Sequence, residues 1–110
     1  MTMSSTIDTG LYNIHLGDIE FPGGFGNEVF PLNSNKGIPI IAVETEEGYR
    51  LIDGWGRCSG LLNAGRETVQ AILVSEGDVA DRTVSGDDEK WNAEMYRKYA
   101  PQYAYPGSTN

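Results

Sequence analysis

Apolar residues along the chain recur with two periods, which together predict a small sheet with helices packed on it. Alternating or unbroken apolar runs, bounded by glycine, proline and charged residues, predict four strands, at residues 11–16, 38–43, 49–53 and 68–74. The turn sequence Glu46-Glu47-Gly48 separates the second run from the third, so these two strands are expected to form a hairpin. The predicted fold class is α+β.

After the third strand the apolar spacing becomes helical, with Cys58, Leu61 and Leu62 on one face. Gly65 then occupies the position of a glycine cap, so the helix is predicted to end there. The connection from the third strand to the fourth is long enough for a crossover through this helix. We therefore expect these two strands to be parallel, with a right-handed crossover.

A second helix is predicted near the end of the chain. Ser85 is a suitable N-cap, the acids that follow it suit a first helical turn, and Pro101 ends the helix after about Tyr99. Trp91, Met95 and Tyr99 recur every four residues on one face of this helix. Such a stripe predicts that the C-terminal helix packs on the sheet.

A length of 110 residues indicates one domain. We expect it to span residues 11–100, between a frayed N-terminus at residues 1–10 and a tail at residues 101–110. Residues 17–37 are rich in glycine, proline and asparagine and predict a long loop, a kind of segment that often carries function.

Acids outnumber bases by 16 to 8, which gives a formal net charge of -8. A field of this sign opposes duplex DNA as a partner and keeps a small protein soluble. The single cysteine, Cys58, excludes an internal disulfide and suits a reducing compartment. Because no apolar run reaches the roughly 18–20 residues of a membrane span and the N-terminus lacks a signal-peptide pattern, we expect a cytoplasmic protein with no membrane partner.

The strongest candidate site is the junction between the third strand and the first helix, Asp53-Gly54-Trp55-Gly56-Arg57 (the 53–57 turn). A helix N-terminus leaves N–H groups unpaired and carries partial positive charge, and two glycines let a ligand approach the backbone closely. Arg57 adds a bidentate donor for phosphate or carboxylate, so the turn is predicted to bind an anion. In the structural alternative, the glycines merely permit a sharp corner and Arg57 pairs with a local acid.

Residues 36–75 resemble the core of the ParB/sulfiredoxin superfamily. The likeness rests on the strand at residues 37–43, on the Asp-Gly-x-x-Arg box of the 53–57 turn, and on the Glu67-Thr68-Val69 entry to the last strand. It implies a small mixed sheet with a strand-turn-helix-strand core. It also implies a phosphate or nucleotide ligand, with Mg²⁺ as its candidate companion, held at the turn by Asp53, Gly54, Trp55, Gly56 and Arg57.

Two positions of the box depart from the superfamily. Trp55 stands where sulfiredoxin has its reactive cysteine, and Trp55 and Gly56 together replace the usual proton-transfer groups. Cys58 lies one residue past the arginine and is not equivalent to the reactive cysteine. The resemblance therefore favours binding over catalysis. Three roles remain for Asp53: orienting Arg57, holding a metal with phosphate, or capping the helix.

Other residues are weaker candidates. Glu28 and Glu20 flank the glycine loop and could serve as a base or Mg²⁺ ligands, although solvated loop acids are commoner. Glu28 and Asp53 are the two candidate catalytic residues. His15 is interpreted as an ordinary strand residue, and Cys58 as a core residue. No cysteine–histidine zinc spacing occurs, so no metal site is predicted.

Two functional hypotheses follow, and neither requires catalysis. The first is a ParB/sulfiredoxin-like domain that binds a nucleotide or another phosphate-bearing ligand at the 53–57 turn. The alternative is an accessory protein of phage or mobile-element type that contacts a protein partner. Its contact surface would be acidic and would include the aromatic C-terminal residues Trp91, Tyr96, Tyr99, Tyr103 and Tyr105.

Overall fold

The computed structural model describes residues 9–23 and 38–102, which form a five-stranded sheet and three α-helices. The strands are β1 (Gly10–His15), β2 (Ile19–Glu20), β3 (Ile40–Thr45), β4 (Gly48–Asp53) and β5 (Thr68–Val74). The helices are α1 (Trp55–Asn63), α2 (Glu76–Ser85) and α3 (Asp88–Tyr99), and a 3₁₀ turn at Leu16–Asp18 joins β1 to β2. The predicted α+β class is confirmed. Most of the predicted frayed N-terminus and tail lies outside the described residues.

The strand order is β1-β5-β3-β4-β2. The predicted hairpin is confirmed, because β3 and β4 pair antiparallel. β5 runs parallel to β3 on its other side, and β1 closes one edge antiparallel to β5. The two-residue β2 lies parallel to β4 at the opposite edge. The sheet is therefore mixed.

The prediction that α1 joins parallel strands is wrong. β3 lies between β4 and β5, antiparallel to the first and parallel to the second, so β4 and β5 run in opposite directions. Asp53 at the end of β4 pairs with Ile41, and Ala71 in β5 pairs with Ile40. The connection through α1 therefore starts and finishes at the same end of the strands, the end where β3 begins. It is not a crossover between parallel strands, so the handedness rule for crossovers does not apply.

Both faces of the sheet are buried beneath helices. Under α1, Cys58 packs with alternate residues of the central strands, Ile40, Ala42, Val69, Ala71 and Leu73. Under α3, Trp91 and Tyr96 pack with the intervening residues Ile41, Val43, Ile72 and Val74. Successive strand residues point to opposite faces, so a strand buried on both sides is apolar throughout. The predicted packing of the Trp91, Met95 and Tyr99 stripe on the sheet is confirmed.

The first helix ends as predicted. Gly65 has φ 75°, and its N–H donates to the carbonyl oxygen of Leu62 at 3.0 Å. The N–H of Arg66 donates to the carbonyl oxygen of Leu61 at 2.9 Å. This pair of bonds is the Schellman arrangement, which satisfies the last carbonyls of α1.

The prediction that Ser85 starts the last helix is wrong. Ser85 is the final residue of α2, and the side chain of Asp87 caps α3 by accepting a hydrogen bond from Lys90 N at 3.1 Å. The apolar pattern did not predict α2, because this helix has no buried residue. Its sequence signal is a capping box: Asp78 N donates to Ser75 Oγ and Ser75 N donates to Asp78 Oδ2, both at 3.0 Å.

This capping box makes stability sensitive to acid. Burial opposes ionisation of Asp78, but hydrogen bonds from Ser75 and Thr9 and the charge of Lys98 outweigh burial and lower the pKa of the carboxyl from 3.8. A lowered folded-state pKa stabilises the fold above the unfolded value, and this contribution disappears as the pH falls through the folded-state value. We therefore expect the stability difference between the wild type and Asp78→Asn to shrink below pH 3.8 in urea unfolding.

Asp81→Asn removes an exposed carboxylate from the same helix and controls for the loss of one negative charge. A stability difference between the wild type and Asp78→Asn that stays constant from neutral to strongly acidic pH would contradict this prediction.

Candidate functional site

The 53–57 turn lies where β4 ends and α1 begins, beside the start of β3. Gly54 is the N-cap of α1 and has φ 119° and ψ 29°, backbone angles that residues with side chains rarely adopt. A Cβ atom at this position would lie 2.5 Å from Cγ2 of Ile40. Glycine is therefore required here both by the backbone conformation and by the close approach of β3.

The first turn of α1 presents its backbone N–H groups without a capping side chain. The first helical hydrogen bond runs from Cys58 N to Gly54 O at 3.0 Å, so the N–H groups of Trp55 and Gly56 precede the hydrogen-bonded part of the helix. The first helical turn of α1, which begins at Trp55, contains no acid, whereas α2 and α3 each have a capping side chain and two acids in their first turns. Within residues 9–23 and 38–102, α1 is thus the one α-helix with an open N-terminus.

Arg57 lies inside the turn, with 9% of its side chain exposed. Its Nη1 donates to the carbonyl oxygen of Pro39 at 2.6 Å, and its Nη2 donates to Oδ2 of Asp53 at 3.2 Å. The guanidinium therefore ties the entry of β3 to the end of β4. Among the roles considered for Asp53, orienting Arg57 is the one observed, and the N-cap is Gly54 instead.

Tyr96 of α3 completes this cluster. Its hydroxyl donates to Oδ2 of Asp53 at 3.0 Å, and the guanidinium carbon of Arg57 lies 5.2 Å from the centre of its ring. The side chain is 2% exposed, and burial raises the pKa of its hydroxyl well above the ordinary range, against an opposing effect of the Arg57 charge. The sequence indicates Tyr96 only as one residue of an aromatic surface and does not predict this role. The only sign of it in the sequence is that Tyr96 lies one residue after Met95, next to the apolar stripe that packs on the sheet.

Residues on either side of the undescribed segment 24–37 lie against the turn. The indole Nε1 of Trp55 donates to the carbonyl oxygen of Pro22 at 3.2 Å, and Arg57 holds Pro39 as described above. Glu28 and the rest of the glycine loop fall outside the described residues, so the catalytic role considered for Glu28 stays a prediction.

Cys58 is a core residue, as its spacing predicted. Burial raises the pKa of its thiol to about 12, against a smaller opposing effect of the Arg57 charge, so the thiol is protonated and inert at neutral pH. His15 is exposed at the end of β1. In the part of the chain that the structure describes, no three metal-ligating side chains come together, and no helix is long and apolar enough to cross a membrane.

The aromatic residues invoked for a protein partner are largely internal where the structure describes them. Trp91 is 8% exposed and Tyr96 is 2% exposed, and Tyr99 is half-buried against the sheet. Tyr103 and Tyr105 lie beyond the described residues. The alternative function therefore loses two of its aromatic contacts, and its acidic contact surface stays a prediction.

Comparison with known proteins gives a structural likeness but no sequence family. No protein-family model matches the chain, and no curated protein sequence matches it. The fold is similar to that of the C-terminally truncated chromosome-partitioning protein ParB from Caulobacter crescentus, complexed with CTP-gamma-S, with a TM-score of 0.46 and 15% sequence identity. The alignment covers 87% of this chain and 55% of the ParB chain, so this chain spans about half the length of that protein.

Proposed function

We propose that this protein binds a nucleotide or another phosphate-bearing small molecule at the 53–57 turn, and that it works by binding rather than by the chemistry of the ParB/sulfiredoxin superfamily. The observation that carries the proposal is the open N-terminus of α1. In a protein of net charge -8, acids are placed in the first turns of α2 and α3 but not in that of α1.

Phosphate suits this turn because backbone N–H groups and the positive end of a helix dipole both favour an anion. Trp55 and Gly56 would supply the N–H groups, and Gly56 leaves the approach free of a side chain of its own. The resemblance of residues 36–75 to the ParB/sulfiredoxin core points to the same ligand class. Mg²⁺ would accompany the ligand through its phosphate oxygens.

Arg57 has a different part in this proposal from the one its sequence position first indicates. Its guanidinium is already bonded to Pro39 and Asp53, so it fixes the shape of the turn. The phosphate would then lie chiefly on the backbone, with the charge of Arg57 partly offset by Asp53. Asp53, Gly54, Trp55, Gly56 and Arg57 remain the proposed binding residues, with the first two and Arg57 in a shaping role.

The test separates binding from folding by adding one charge to the open turn. An acid in the first turn stabilises a helix by about 0.3–1 kcal/mol, but it repels a phosphate placed there. We expect Gly56→Asp to be at least as stable as the isosteric control Gly56→Asn and to lose ligand binding that the control keeps. Thermal unfolding with ATP, CTP, ADP and pyrophosphate, each with and without Mg²⁺, measures both properties.

For the wild type, a ligand at one hundred times its Kd should raise the free energy of unfolding by roughly 2.7 kcal/mol. Comparing the shift in unfolding temperature caused by pyrophosphate with the shifts caused by the nucleotides separates recognition of the phosphates from recognition of the base. The proposal fails if no compound in the panel shifts the wild-type unfolding temperature at millimolar concentration. It also fails if Gly56→Asp binds as tightly as Gly56→Asn.

A further inference from the structure

Side chains connect the 53–57 turn to α3, the helix that packs on the opposite face of the sheet from α1. Arg57 of α1, Asp53 of β4, the Pro39 carbonyl before β3 and Tyr96 of α3 form one bonded cluster (the Tyr96 cluster). Oδ2 of Asp53 accepts from both Arg57 Nη2 and the Tyr96 hydroxyl, at 3.2 and 3.0 Å. The carboxylate is therefore shared between the turn and α3.

The hydroxyl of Tyr96 donates this bond from inside the protein. The residue is 2% exposed, and a buried tyrosine hydroxyl normally has a protein partner because none is available from water. A hydrogen bond to an ionised carboxylate is also stronger than one between neutral groups. Tyr96 consequently fixes the position of Asp53, which in turn holds the guanidinium that spans the turn.

We propose that Tyr96 is a positioning residue for the phosphate-binding turn, so that docking of α3 and binding at α1 are energetically coupled. This inference rests on the proposed function for its ligand, but its structural half concerns the free protein. Coupling is reciprocal. A phosphate that orders the first turn of α1 therefore also strengthens the attachment of α3, and loosening α3 weakens phosphate binding.

Tyr96→Phe tests this with the smallest change, because it removes the hydroxyl and keeps the ring against Arg57 and the sheet. Tyr99→Phe is the matched control. Tyr99 is on the same helix and packs on the same face of the sheet, but its hydroxyl makes no hydrogen bond within the described residues.

The first measurement uses no ligand. Amide hydrogen exchange of the full chain should be several-fold faster at residues 58–61, the first hydrogen-bonded amides of α1, in Tyr96→Phe than in the wild type, and unchanged in Tyr99→Phe. A role limited to packing α3 would instead speed exchange in α3 and leave residues 58–61 unaffected, which would overturn the inference.

The second measurement uses pyrophosphate with Mg²⁺ as the probe, at a temperature where all three proteins are folded. The loss of one hydrogen bond to the carboxylate should weaken pyrophosphate binding by roughly three- to tenfold in Tyr96→Phe, and Tyr99→Phe should match the wild type. Pyrophosphate should also slow exchange in the last turns of α3 of the wild type. Equal affinities of Tyr96→Phe and wild type would overturn the inference while the proposed function stands.

The two ideas fail in distinguishable ways. If wild-type protein does not bind pyrophosphate but exchange at residues 58–61 is still faster in Tyr96→Phe, the positioning of the turn by Tyr96 is supported and the proposed function is what fails.

Discussion

Replacing Arg57 by methionine will lower the free energy of unfolding by about 3 kcal/mol in the absence of any ligand. The side chain is 9% exposed and its carboxylate partner 24% exposed, so the substitution leaves a partly buried charge on Asp53 without its cation. The carbonyl of Pro39 also loses the donor at 2.6 Å. The remaining exposure of Asp53 lets water solvate it in part, which keeps the expected loss near the lower end for a broken buried pair.

Arg50→Met is the matched control. Arg50 pairs with Glu76 at 3.7 Å, but 34% of the arginine and 67% of the glutamate side chain are exposed. Exposed pairs contribute at most about 1 kcal/mol. Urea unfolding should therefore separate the two variants clearly, and an Arg57→Met loss no larger than that of Arg50→Met would contradict the structural role of Arg57.

A double substitution sharpens the result. Adding Asp53→Asn to Arg57→Met removes the uncompensated carboxylate. The double variant should therefore lose less stability than the sum of the losses of the two single variants.

Because Arg57 shapes the turn, a loss of binding in an Arg57 variant has two explanations, a lost ligand contact and a misshapen turn. A charge added at Gly56, which has no side chain in the bonds that Arg57 makes, gives the cleaner test of anion binding.

The elements that could be predicted from the sequence are those whose signal is local. The strand residues 40–43 and 71–74 are apolar because both faces of each strand are buried, and Gly65 ends α1 because its φ of 75° suits glycine. The candidate site was also found locally, since the change from strand to helical spacing at residues 53–57 marks a helix N-terminus.

The rest depended on tertiary structure. The direction of β5 relative to β4 could not be predicted from the length of their connection. A helix of nine residues can join two antiparallel strands at one end of the sheet as easily as it can join two parallel strands by a crossover. α2 has no apolar stripe, so only its capping box could have indicated it. The engagement of Arg57 depends on Pro39 and Tyr96, which are 18 residues before it and 39 residues after it, and no local pattern brings these together.

Gly54→Ala should be the most damaging small substitution in the turn, with an expected loss of about 2–6 kcal/mol. Two costs add: a non-glycine residue held at φ 119° is strained by roughly 1–3 kcal/mol, and overpacking typically costs roughly 1–3 kcal/mol. The collision is specific, since the new Cβ would lie 2.5 Å from Cγ2 and 2.9 Å from Cβ of Ile40, which is fully buried on β3. Neither β3 nor the turn can retreat without breaking the pairing of Ile41 with Asp53.

Gly65→Ala is the matched control, because it carries the backbone strain without the overpacking. Gly65 also has a positive φ, 75°, but a Cβ there would meet no atom within 4 Å, so this variant carries backbone strain alone. The stability difference between Gly54→Ala and Gly65→Ala therefore measures mainly the close packing of the turn against Ile40. The added Cβ at Gly54 would also lie 3.3 Å from Nη2 of Arg57, so displacement of the guanidinium should accompany the loss. If urea unfolding gives the two variants equal stability, β3 does not constrain the turn, and the shape of the proposed anion site must come from α1 alone.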